Sequence, residues 1–184
     1  MKIFVLITMM ISLLVSCDNR TADTDKKEKE FENPFGYFSI VENNGDYSVS
    51  VEHPIDKQTF DQYFKSGSYW THGNGYEVSV NSVDDDRMVG EGANRWSIMD
   101  NLKITIYGGA IMSPISIHTY DYSFDNGVLS IGEAKYVVCH IDNMSMGLIE
   151  EAYLQDGTPR WIYYKAHAIS EDDFSKWYEN ASKW

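Results

Sequence analysis

The residues that could do chemistry are scattered along this chain rather than gathered. Its five histidines, His53, His72, His118, His140 and His167, never stand two or four positions apart, the spacings that bring two imidazoles to one side of a strand or helix for zinc. Asp84-Asp85-Asp86 offers carboxylates of the kind calcium takes, but without the glycine and downstream glutamate of a calcium loop, so a solvated turn is the plainer reading. Glu150 and Glu151 could supply half of a glycosidase acid pair, yet neighbours on a strand point to opposite faces. Asn143-Met144-Ser145-Met146-Gly147 lacks the first glycine of a nucleophile elbow, which leaves Ser145 unactivated. Cys139 ends the apolar run Tyr136-Val137-Val138 and reads as a small core residue. No catalytic residue, metal ligand or cofactor is assigned on these grounds.

The aromatic residues carry more information. Tyr120, Tyr122, Trp161, Tyr163 and Tyr164 fall in strand-like segments. Rings of this kind lining a cavity would hold an apolar or sugar-like ligand, with phenol groups fixing its orientation. The competing reading is that each ring fills a core. Trp96, which follows Gly90 to Arg95, is expected in a loop at the mouth of such a cavity.

Elements able to position these residues are written in the hydropathy pattern. Tyr47, Val49 and Val51 alternate with polar neighbours, as do Tyr76, Val78 and Val80, then Ile104 and Ile106, then Tyr120, Tyr122 and Phe124; a period of two marks half-buried strands. Residues 136–141 and 161–166 are apolar on both faces, as in strands covered on both sides. Asp125-Asn126-Gly127 separates two such runs and predicts a type I′ hairpin. Strands spaced by roughly ten residues between turn signals predict an antiparallel barrel or, alternatively, an open β-sandwich. Two helices interrupt the pattern. Residues 56–65 carry Phe60, Tyr63 and Phe64 at helical spacing and end at Gly67. Ser170 is placed to cap a C-terminal helix with an acidic first turn and a stripe of Phe174, Trp177, Tyr178 and Ala181.

The amino end differs in character. Met1-Lys2 precedes an apolar run from Ile3 to Val15 that Thr8 and Ser12 interrupt, then Ser16-Cys17. These are the parts of a secretory signal, and the run is shorter than the roughly 20 residues a membrane span requires. Leu14-Val15-Ser16-Cys17 resembles the lipobox of bacterial lipoproteins, which implies cleavage after residue 16 and lipidation of Cys17. Several acyl chains at about 0.8 kcal/mol per buried methylene make a stable anchor to the cell envelope, with the outer membrane the expected site. The expected organisation is therefore a signal peptide (1–16), a lipidated cysteine with a charged flexible tether (17–33), and one β-rich domain (34–184). With Cys17 lipidated, Cys139 has no partner for an intramolecular disulfide. The chain has 15 basic against 28 acidic side chains, a net charge of −13, which argues against nucleic acid as a partner.

Within the domain, a helix followed by Gly67-Ser68-Tyr69-Trp70 and then successive strands ending in Trp161-Ile162-Tyr163-Tyr164-Lys165 resembles lipocalin-like lipoproteins of Gram-negative envelopes. That resemblance implies a small antiparallel β-barrel over about residues 60–166, with Trp70 packing its floor in a structural role. The function expected is a membrane-anchored, non-enzymatic binding module for a small hydrophobic or glycan-derived ligand or for an envelope protein partner. A secreted hydrolase acting on glycans and a structural subunit of an outer-membrane assembly are the alternatives.

Overall fold

The computed structural model describes residues 37–44, 46–79, 82–89, 94–108, 114–153 and 155–183; between 82 and 89, and at Asn74 and Ser79, only the backbone is described. The expected signal peptide, Cys17 and the tether lie outside the described residues.

The fold is mainly β. A hairpin of β1 (Phe38–Asn43) and β2 (Asp46–Val51) leads to a short helix, α1 (Lys57–Tyr63). Nine strands follow: β3 (Tyr69–Ser79), β4 (Ser82–Val89), β5 (Asn94–Met99), β6 (Lys103–Gly108), β7 (Ser116–Asp125), β8 (Val128–Ile131), β9 (Ala134–Ile141), β10 (Ser145–Tyr153) and β11 (Pro159–Ile169). The chain ends in α2 (Glu171–Ala181). Strands β5 to β11 pair in sequence order, and β3 pairs with both β5 and β11, so eight strands close an antiparallel barrel. Closure removes the open-sandwich alternative. Strand β4 is additional: it follows β5's line along β3, pairing with residues 75–79 where β5 pairs with 69–72.

Local sequence accounts for the joints. Asn126 and Gly127 both have positive φ, 48° and 78°, as a type I′ turn between β7 and β8 demands. Asp56 caps α1 by accepting the Thr59 N–H at 2.7 Å, and Ser170 caps α2 by accepting the Asp173 N–H at 3.1 Å.

Alternation sends one set of side chains into the barrel and the other outward, and each set forms its own core. The inner core joins Phe60 and Phe64 from the α1 segment to Trp70, Trp96, Ile98, Ile104, Tyr122, Phe124, Leu129, Val138, Met146, Leu148 and Ala166. Helix α1 closes the barrel end from which β3 starts: Phe60 stacks on Phe124 at 3.9 Å, and Phe64 meets Trp70, Trp96 and Tyr122. The outer core lies beneath the β1–β2 hairpin, where Phe38 and Ile40 cover Val78, Cys139, Ile149, Trp161 and Tyr163. Helix α2 lies on another part of the outer wall. Its Phe174, Trp177 and Tyr178 pack on Tyr107, Phe174 also on Tyr69, and the Arg95 guanidinium sits 4.0 Å over the Trp177 ring.

Candidate functional site: the upper barrel interior

Taking the α1 end as the floor, the upper interior is built by a row of residues in register across four strands. Tyr136 of β9 lies opposite Glu150 of β10, Glu150 opposite Ile162 of β11, and Ile162 opposite Glu77 of β3. Adjacent strands are about 4.8 Å apart, so Glu77 and Glu150 face the interior about 10 Å from each other across the Ile162 strand. Two irregularities make this row possible. Between His72 and Gly75 the β3–β11 register shifts, with Ala166 opposite His72 and Tyr164 opposite Gly75. That bulge turns Glu77 inward and Tyr76 and Val78 outward, although Trp70 and His72, of the same parity as Tyr76, face inward. A second shift, at Gly147/Leu148, keeps Tyr136, Val138 and Ile141 inward while Cys139 faces the outer core.

The side chains of this region are polar and mutually engaged. Tyr164 donates its phenol proton to Glu150 Oε2 at 2.9 Å, and Arg160 Nη1 lies 3.5 Å from Glu77 Oε2. Arg160 Nε is buried with no hydrogen-bond partner among the described residues, and so is Trp96 Nε1. Rings close a box around the row: His72 meets Trp96 at 5.0 Å and Tyr164 at 5.2 Å, while Tyr136 meets Trp96 and Tyr164 at 6.3 Å each. Burial pushes the Tyr136 phenol up to about 12, with the Glu150 charge adding to the rise. The Tyr164 phenol is raised for the same two reasons in the same order, and burial holds the His72 imidazole below its ordinary value. The phenols and the imidazole are therefore neutral near pH 7.

Exposure separates this region from the floor. Phe60, Phe64, Trp70 and Trp96 are almost wholly buried. Ile106, Tyr136, Glu150, Arg160 and Tyr164, which also face inward, keep part of their surface accessible. Glu77, His72 and Ile162 of the same region are buried, so the upper wall is polar and only partly accessible.

The sequence-derived candidates divide among four places. Tyr122 belongs to the floor, against Phe64, and Trp70 packs beside the same ring. Tyr120 is on the inward face but beyond the end of β8, 38% exposed at the rim and against Gly132. Trp161 and Tyr163 point outward instead, buried under the hairpin, with Trp161 edge-on to Tyr47 and Tyr163 stacked near Phe38. They therefore line no interior cavity: β11 is covered on both faces, and its even-numbered residues are the inward ones. Trp96 is likewise no loop residue; it sits in β5, buried between the floor rings and the upper interior. Glu150 faces in and Glu151 faces out, where it accepts from the Tyr153 phenol at 2.6 Å. Asp84 to Asp86 run along β4, and their side chains lie outside the described residues. Glu77 and Arg160 were not singled out from the sequence, and His72 was weighed there only as one of five scattered histidines. The local signal for Glu77 was misleading, since it alternates with Tyr76 and Val78 as a solvent-facing residue would.

A recess of about 220 Å³ opens on the outer wall beside the hairpin, bordered by Tyr37, His140, Ser145, Gly147, Tyr163 and Lys165. Here His140 stacks on Tyr37 at 4.5 Å and bonds Asp142 at 3.0 Å. Asp142 in turn accepts the Met144 and Ser145 N–H groups, which, the Met144 bond first, hold its carboxyl below the usual range. Ser145 is tied to this turn and has no bond to the imidazole among the described residues, and burial raises the Cys139 thiol to about 12, so neither is an activated nucleophile. No protein-family model matches the chain and no curated protein matches its sequence, so a functional reading rests on the barrel itself.

Proposed function

We propose that this protein is an envelope lipoprotein, anchored through lipid on Cys17, whose barrel is a non-enzymatic cup for a small ligand. The observation that carries the binding reading is the contrast within one interior: Tyr136, Glu150, Arg160 and Tyr164 above Trp96 keep accessible surface, while the rings beside α1 are buried. A few convergent polar groups in a largely preformed concavity are what a small-molecule site requires. The anchor reading rests on the signal-like run and the lipobox resemblance at Leu14 to Cys17.

Two measurements test it. Cys17→Ser should move the protein from the membrane fraction to a soluble or uncleaved form; unchanged detergent partitioning sinks the anchor. For the cup, Ile106→Trp places a large ring in the upper interior. Native mass spectrometry of protein purified from envelopes should show a bound small molecule that this variant loses without a fall in melting temperature. Retention of the same adduct by the variant would put binding elsewhere.

The hydrolase alternative gains one observation, the inward pair Glu77 and Glu150. Both carboxylates are already engaged, one by Arg160 and one by Tyr164, which suits fixed recognition groups better than an acid and a base free to exchange protons.

A further inference from the structure

Independently of the reading of the interior, we infer that the recess on the outer wall binds a phosphate group. Three strands meet there in register. Gly147 of β10 lies opposite His140 of β9 and Lys165 of β11, so those two side chains rise on either side of a residue that has none. With adjacent strands about 4.8 Å apart, their backbones stand about 10 Å from each other. Tyr163 leans into this gap from its place opposite Ile149, and its phenol oxygen lies 3.1 Å from where a Cβ on Gly147 would be. The phenol forms the bed of the recess. Lys165 makes one wall, His140 stacked on Tyr37 the other, and Ser145 one end.

No carboxylate borders the recess, although the chain carries 28 acidic side chains against 15 basic ones. The exposed Lys165 ammonium has no ion pair among the described residues. Burial raises the Tyr163 phenol, so it keeps its proton. The Ser145 hydroxyl makes only a long contact of 3.5 Å, to Asp142. Asp142 itself lies outside the border, and its charge is already met by the Met144 and Ser145 N–H groups and the His140 ring. A cation would be repelled by Lys165 and would find no carboxylate beside it. An apolar ligand would strip water from the ammonium and return no bond. A planar carboxylate is best matched by the fork of an arginine. Here a point-charge ammonium and hydroxyl groups approach from separate sides, which suits a tetrahedral oxyanion.

Phosphorus NMR on the full chain in a nonionic detergent tests this, with inorganic phosphate, glycerol phosphate and dihexanoyl phosphatidic acid as probes and acetate as competitor. The line of at least one phosphate probe should broaden. Lys165→Gln should weaken binding about tenfold with melting unchanged, as loss of one charged hydrogen bond implies. Lys165→Arg should keep most of it, and Ile106→Trp, inside the barrel, should leave it untouched. Tighter binding of the phosphatidic acid than of glycerol phosphate would identify a lipid headgroup as the source, and equal binding a soluble phosphate ester. Broadening that survives Lys165→Gln, or that Ile106→Trp abolishes, would place the phosphate elsewhere and overturn the inference. Displacement by equimolar acetate would overturn the choice of phosphate. Failure of every probe would remove the site and leave the interior cup standing.

Discussion

The lower and upper halves of the barrel are made by the same strands and obey different rules. At the floor, α1 brings Phe60 and Phe64 down onto Phe124, Trp70 and Tyr122, and every inward side chain is apolar or, like Tyr122, mostly so. Half a strand higher, the inward positions of β3, β10 and β11 become Glu77, Glu150 and Arg160. The floor is where burial stabilises the fold. The upper wall places charge and aromatic faces where burial is less complete and contributes less.

The sharpest way to break this comparison is at the floor. Phe64→Ala removes a fully buried ring that meets three strands, at Trp70, Trp96 and Tyr122, and should cost about 3–5 kcal/mol, read as a lower denaturant midpoint. A loss below 1 kcal/mol would mean the floor is not the stabilising half.

Next comes the outer core, which tests whether the hairpin side is as closely packed as the floor. A Cβ at Gly147 would lie 2.8 Å from Cys139 Sγ and 3.1 Å from the Tyr163 oxygen. Gly147→Ala should therefore cost about 1–3 kcal/mol through overpacking. A neutral result would show the hairpin lifting freely.

In the cup the effects should be smaller. Tyr164→Phe deletes the bond to Glu150 but leaves a carboxylate that water can reach, so the expected loss is about 0.5–1.5 kcal/mol, smaller than at the floor. Equal losses for Tyr164→Phe and Phe64→Ala would erase the distinction between the halves.

The smallest effect is one of pH. Burial lowers the His72 pKa in the folded state below its unfolded value of about 6.5. The neutral imidazole therefore contributes stability that is fully present above that value and declines as pH falls toward the folded pKa, because the unfolded chain binds the proton first. Denaturant midpoints taken from pH 8 to pH 5 should fall more for the native protein than for His72→Gln. Parallel curves would mean that His72 is accessible.

Much of this was legible residue by residue. The type I′ turn at Asn126-Gly127 and the cap at Ser170 follow from local chemistry that acts over a few neighbours, and the alternation left an antiparallel barrel as one of two architectures. The face of each side chain was legible only within an unbroken strand. Trp161 and Tyr163 are aromatic, alternating and buried whichever side of β11 they occupy. That they lie outside follows from the docking of a hairpin more than a hundred residues away in sequence. Likewise, Glu77 reads as solvent-facing until the bulge at residues 73–74 reverses the parity of β3 and delivers it to the interior, opposite Ile162 and in reach of Arg160. Sequence by itself determined which segments become strands and where they turn, because those preferences are local. Only the closed barrel decided which side of each strand is inside, since one extra residue in a bulge costs little locally but flips every side chain beyond it.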